Sequence, residues 1–450
     1  MGIFIARTDS SEPAAAGSLY LENLKLNNVD VAVAGPQSTY LNGTAGSTTI
    51  TAWADELLEA TVKYYTRSKP QYDSVPLSSI LSVRDLGATG DGLTDDTTAF
   101  NATFTRAQIE SKILFFDTGY YKITSTIRIP PGSRIVGEAL ASVILSSGAY
   151  FNSMANPMPV VQVGRPGEQD TLEWSDMLVS TQGQQQGAVL IEYNLNTPDS
   201  APSGVWDVHT RIGGFAGLNL QTAQYDKTPD MVITLENLKQ ECIAAYMAMH
   251  VTKFATGLYM ENNWLWTADD DLDDARNLNT QLTIYADRAV EHRTLYQHQF
   301  TSTHTIFTGQ VQTETAYHQP NPDATIPFPA NPALNDPVFA PNASSGSANG
   351  TASATSGWGL RTVRSHHVVG YGVGLYSFFD NYRTECSKAG SSAGCQERVL
   401  GMEGSWDVGL YNLNAVGVVS MATLDGVDSA RSENNDGTFV DTVNLLRIGG

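Results

Sequence analysis

Short runs in which apolar and polar residues alternate recur along this chain of 450 residues, and the three- and four-residue spacing of long helices is scarce. Three runs share one pattern, LYLENLK (19–25), ITLENLK (233–239) and LYMENNW (258–264). Each reads as a short strand with apolar residues inward and polar ones outward, ending at a corner that contains Asn. Asn tolerates the left-handed backbone such corners require. VDVAVAG (29–35), KITSTIRI (122–129), SRIVG (133–137), HVVGYGVGLYSFF (367–379) and GLYNLNAVGVVSM (409–421) read as further strands. Short strands of this kind, repeated with corner residues between them, predict an all-β, right-handed parallel β-helix; a β-sandwich is the alternative.

One helix is signalled within residues 83–111. Thr94 or Asp95 is its expected N-cap, Asp95 and Asp96 suit the positive end of its dipole, and it should run to about Ser111. A helix placed just before the strands LFFDTGYYKITSTIRI is positioned to cap the open end of a solenoid. The polar stretch TRSKPQYDSVPLSS (66–79) precedes it. The expected organisation is therefore a remnant of a preceding β-rich unit over 1–65, a linker over 66–81, and a parallel β-helix over 82–450. A long loop over 319–357 carries seven prolines up to Pro341 and then turns to Ser, Gly, Ala and Asn. Its place directly after Glu314 predicts a wall or lid of a cleft, or a surface insertion.

Composition narrows the function. Only 16% of residues are charged, and 47 acidic residues against 26 basic ones leave a formal charge of −21. A chain of this charge repels phosphate backbones and shows no basic patch, which argues against nucleic acid. It suits a neutral substrate such as a sugar polymer better than a polyanion. No stretch is long and apolar enough to span a membrane, and a monomer is expected. Asn42-Gly-Thr, Asn101-Ala-Thr, Asn342-Ala-Ser and Asn349-Gly-Thr are sequons, consistent with an extracellular protein. The N-terminus MGIFIARTDSSEPAAAG has no signal-peptide pattern, so the chain is expected to be a fragment of a secreted protein or the product of a late start. Cys386 and Cys395 lie nine apart in a Gly/Ser-rich loop that a disulfide can close, free thiols being the alternative; Cys242 sits in an apolar run as a buried thiol.

The densest chemistry lies between Leu258 and Pro322. Glu291 and Glu314 are 23 residues apart, about one turn of a β-helix, so their carboxylates are expected to be neighbours. Paired carboxylates among aromatics and amides suit glycoside hydrolysis. Neighbouring turns lie about 4.8 Å apart. Inverting enzymes hold their carboxylates about 6.5–9.5 Å apart, so inversion needs a lateral offset or a relay through Gln297, Gln299 or Gln312. The run Asp269, Asp270, Asp271, Asp273 and Asp274 reads as a solvated turn, with a Ca²⁺ site as the alternative. The histidines show no zinc-ligand spacing, and no cofactor is called for. Trp264 and Trp266 read as one core residue and one sugar-stacking residue, the latter assigned to Trp266.

The segment VRDLGATGDGLTDDTTAF (83–100) resembles the opening repeat of the pectate-lyase superfamily. SGVWDVHTRIGG, MAMHVTKFATGLYMENNWLWTADDDLDD, AVEHRTLYQHQF, QVQTETAYHQPNPDATIPFP and GLYSFFDNYRTEC resemble glycoside hydrolase family 55. That resemblance covers most of 70–425 and implies a fungal, secreted, exo-acting β-1,3-glucanase that inverts configuration and releases glucose. It implies Glu314 as general acid, Glu291 as the carboxylate that helps activate water, and Tyr317 as a site tyrosine. Three departures stand out: the family's first β-helix is almost wholly absent, the stretch before Glu291 is shorter, and Asp270 stands where the family usually has His. A vestigial glucan-binding β-helix and a Ca²⁺-dependent pectin-type lyase are the alternative functions.

Overall fold

In the computed structural model of the chain, residues 3–4, 20–35, 39–54, 67–198, 201–273, 283–288, 291–340, 352–353, 356–388, 394–435, 437 and 440–449 are described. The chain is all-β with one α-helix among these residues, and most strand pairs are parallel. Ile127 pairs with Val161, Val161 with Ile191, and Glu192 with His250, so strands from successive passes of the chain lie side by side. The alternation read from the sequence is what makes this possible. Ile127 and Ile129 are buried while Arg128 between them is not, and Val161, Val163, Ile191 and Val208 continue the same interior. Inward positions thus stack apolar on apolar down the pile of strands.

Corners stack too. Asp176, Asp207 and Asn262 hold φ of 61°, 53° and 54° at one position of three successive passes. Gln310, Gly372 and Asn412 do the same elsewhere, at 57°, 66° and 56°. A left-handed residue turns the strand without breaking its ladder, and Asn, Asp and Gly bear that conformation most cheaply. At the first of these corners Lys69 bonds Asp176 at 2.5 Å and Asp207 at 2.9 Å. Arg67 pairs with Glu173 at 2.5 Å, and its carbonyl accepts from Trp206 Nε1 at 3.0 Å. Residues 67–72 are thereby strapped along the side of the strands.

The helix spans Thr97–Glu110 and buries Phe100, Phe104 and Ala107 over the first strands, with Phe100 and Phe116 edge-to-face at 5.1 Å. It starts later than the acid run suggested. Asp95 still accepts from Thr97 N at 3.0 Å, but Asp96 is buried and holds the N–H groups of Thr89 and Gly90, so the capping acids are shared between helix and loop. At the far end, Asp441–Ile448 pairs antiparallel with Trp406–Val416, which ends the parallel stacking.

One expectation changes. ITLENLK (233–239) is a turn and not a strand: Asn237 Oδ1 accepts from Thr234 N at 2.7 Å and its amide donates to Val232 O at 2.8 Å. An Asx side chain that satisfies its own local backbone competes with the ladder. The proline-rich stretch is packed onto the body over 319–340, where Ala324 and Phe328 are fully buried and Gln319 bridges Thr294 O and Gly357 N, both at 2.8 Å. Residues 341–351, including Asn342 and Asn349, lie outside the described residues. Tyr20–Ala34 and Thr39–Ala54 form an antiparallel pair. Cys386 and Cys395 are joined with Cα atoms 4.9 Å apart, and Cys242 is a buried free thiol.

Candidate active site

Glu314 ends the strand His304–Glu314, at the edge of a four-stranded sheet, where alternation turns Thr313 inward and Glu314 out. Glu291 lies in the turn between Tyr285–Arg288 and Tyr296–Thr301. It does not sit beneath Glu314 in the strand row. His292 takes that place, donating its backbone N–H to Glu314 O at 2.7 Å, so Glu291 is displaced sideways by one residue. Glu291 and His292 have consecutive positive φ values of 38° and 62°, a strained arrangement of the kind held at functional sites.

The carboxyl of Glu314 is partly buried, and burial with the nearby charges of Glu291 and Asp269 pushes its pKa up to about 7, against a weaker opposing hydrogen bond from Gln312 at 3.3 Å. His292 is fully enclosed, and burial lowers its pKa, so it is neutral at pH 7. Its Nδ1 lies 3.2 Å from Thr315 O; a carbonyl only accepts, so Nδ1 carries the proton. Nε2, 3.9 Å from Glu314, is then a lone pair facing the acid. A carboxyl with a raised pKa beside a neutral imidazole and a second carboxylate is the arrangement a general acid needs.

Trp264 Nε1 donates to Glu291, and the indoles of Trp264 and Trp266 stack at 4.6 Å and 16°. The exposed ring is Trp264, at 48%, while Trp266 is 4% exposed. The sequence expectation assigned these roles the other way round. Residues i and i+2 of a strand share a face, so the two indoles lie on one another and the outer covers the inner. Tyr317 is fully buried: its hydroxyl reaches Ala268 O at 3.3 Å, and its ring packs edge-on against His292 at 5.2 Å. It lies beneath the carboxylates and ties the Glu314 segment to the aspartate turn.

The aspartates of that turn divide. Asp271 accepts from Thr222 N at 3.1 Å, and Asp273 from Ala216 N at 2.8 Å. Asp270, raised to about 6 by burial and then by Asp269, remains beside the site with Asp269. Asp274 lies outside the described residues. No cluster of metal-ligating side chains occurs among the described residues. Gln299 points elsewhere, bonding Leu334 O at 2.9 Å, and Gln297 is spent on Arg293 N and O at 3.0 and 2.8 Å. Of the candidate relay amides only Gln312 reaches Glu314. Sequence reasoning gave His292 no role, although it adjoins Glu291, and it took Trp264 as the core residue of the pair.

A family model described as rhamnogalacturonase A/epimerase, pectate lyase-like, matches residues 80–169. The chain is 43% identical to a glucan 1,3-beta-glucosidase of Cochliobolus carbonum, over 99% of this chain and 58% of that protein. It is 38% identical to a probable glucan endo-1,3-beta-glucosidase of Arthroderma benhamiae, over 87% of this chain and 44% of that protein. Among solved structures it is similar to sacteLam55A from Streptomyces sp. SirexAA-E, with a TM-score of 0.46 and 15% identity over 78% of this chain and 53% of that chain. The chain thus spans about half the length of the curated relatives it matches. Over nearly its whole length the chain thus resembles proteins named as β-1,3-glucan hydrolases.

Proposed function

We propose that this chain is the acid-bearing, right-handed parallel β-helix of a secreted, exo-acting, inverting β-1,3-glucan hydrolase that releases glucose. The observation that carries the reading is a half-buried Glu314 with its pKa near 7, beside a second carboxylate and an exposed indole. The identity to a glucan 1,3-beta-glucosidase supports the substrate class. Residues 82–450 form the β-helix in this reading, 66–81 the linker, and 1–65 the end of a preceding unit.

The terminal glucose stacks on Trp264, and Glu314 donates its proton to the glycosidic oxygen as the C1–O bond breaks. Water forms the new bond to C1 from the opposite face and yields a proton to Glu291. Trp264 fixes the orientation of that carboxylate through its N–H. The sideways displacement of Glu291 leaves room for the water that a directly stacked pair, about 4.8 Å apart, would exclude.

Glucose release from laminarin tests this. The wild type is expected to release α-glucose first, followed by NMR before mutarotation, and Glu314→Gln should lower kcat at least a hundredfold while leaving the fold intact. The second reading is a non-hydrolytic glucan-binding module. Laminarin binding without any glucose release would establish it.

A further inference from the structure

The parallel register around Glu314 also says where the rest of the substrate lies. Glu314 pairs with Tyr376, and Tyr376 with Val416, so these three side chains leave the same face of the sheet in successive strands. Trp264 and Glu291 belong to passes of the chain before Glu314, and Tyr376 to the pass after it. The acid is therefore flanked along the stacking direction by its carboxylate partner on one side and a tyrosine on the other. Adjacent strands are about 4.8 Å apart, so Tyr376 is the nearest outward neighbour on its side.

The shape of that neighbour is specified locally. Tyr376 is partly exposed, and its ring folds back along its own strand over Gly374. A Cβ at position 374 would lie 2.6 Å from the tyrosine hydroxyl and 2.8 Å from the ring carbon that bears it. Gly374 has no positive φ that would otherwise require glycine, so the absent side chain serves the ring. Phe378 supports the same ring from 5.6 Å. The result is an amphipathic shelf one strand away from the acid, with a hydroxyl at its tip.

We propose that Tyr376, lying on Gly374, is the subsite for the leaving-group sugar, and that the glucan runs along the stacking direction with its non-reducing end over Trp264. The inference rests on the hydrolase reading above and adds its polarity. A general acid protonates the oxygen of the departing sugar, so that sugar must sit on the side of Glu314 away from the carboxylate that prepares water. Tyr376 occupies that side. An aromatic face with a polar rim suits a neutral pyranose ring.

Binding separates this proposal from the question of turnover. In the full chain carrying Glu314→Gln, laminaribiose should bind more tightly than glucose by calorimetry. Adding Tyr376→Ala should weaken laminaribiose about tenfold and leave glucose unchanged, and Tyr376→Phe should keep most of the margin. Gly374→Ala, which displaces the ring without touching Tyr376, should reproduce the loss. The proposal is overturned if the margin is absent, if it survives Tyr376→Ala and Gly374→Ala, or if glucose and laminaribiose weaken together. A chain that binds as expected but releases no glucose retains the subsite and loses only the catalytic reading.

Discussion

Glu314 shows how one residue acquires its chemistry from its surroundings. Burial and two negative neighbours favour its neutral form and lift it from 4.5 to about 7. Glu291 faces it from the adjoining turn, Asp269 from the aspartate turn, His292 from below and Gln312 from its own strand. Hydrolysis that needs this proton should fall as pH rises through about 7, and a pH profile of kcat on laminarin reads that limb directly. The same shift bears on stability. Between pH 4.5 and 7 the folded chain holds a proton that the unfolded chain has lost, so the contribution is fully present below about 4.5 and is lost as pH rises through 7. Glu314→Gln should therefore stabilise the fold at pH 8 relative to wild type, by on the order of 2 kcal/mol, with little effect at pH 4. Equal melting shifts at both pH values would refute the assignment. Trp264→Phe keeps a ring for stacking but removes the donor to Glu291, so kcat should fall more than KM rises. That Glu291 and Glu314 come near each other was legible in the 23 residues between them, about one turn of a β-helix, whereas their roles are what the family resemblance implies. Which indole faces solvent was not legible, since both belong to one face and only depth separates them.

At the scale of elements, the stacked left-handed corners are the feature on which the strand rows depend. Asp207 stands at φ 53° and also holds Lys69. Asp207→Asn keeps the backbone preference and loses a partly exposed ion pair, at a cost of about 0–1 kcal/mol. Asp207→Val adds backbone strain and should cost roughly 1–3 kcal/mol more by thermal melting. Comparable melting temperatures for the two variants would contradict the corner's role. The turn that carries Glu291 is the least regular element. Arg288 and Tyr296 pair in parallel although only seven residues separate them, far fewer than the dozen or so of an ordinary parallel crossover. The charges are correspondingly enclosed: Arg288 is fully buried and bonds Asp336 through Nε at 2.9 Å and through its terminal nitrogen. Arg288→Ala would strand that acid and should destabilise by about 3–5 kcal/mol in denaturant melts. The buried ion pair of Arg288 and Asp336 was not visible in the sequence, because the two residues lie 48 apart and meet only through the way the chain closes. ITLENLK read as a strand because its alternation is genuine, and it folded as a turn because Asn237 satisfied the local backbone first.

For the whole molecule, charge and length set the terms. At −21 the chain presents a repulsive field to acidic polymers, while neutral glucan feels none. Carboxymethylated β-1,3-glucan should be a poorer substrate than laminarin at low salt, with the difference shrinking as ionic strength shortens the Debye length to about 8 Å at 0.15 M. No salt dependence would show that the field does not reach the cleft. What the sequence by itself determined is everything carried by local period and residue type: alternating strands, Asn and Asp corners, the helix before the first strands and the nearness of two carboxylates. Those follow from backbone sterics and from burial, which act over a few residues. Only the tertiary structure decided that His292 and not Glu291 lies under Glu314, that Trp264 covers Trp266, and that Tyr317 is buried while Tyr376 lies beside the acid. The place of Tyr376 depends on register between strands 62 residues apart. A shift of one residue there turns every side chain to the opposite face.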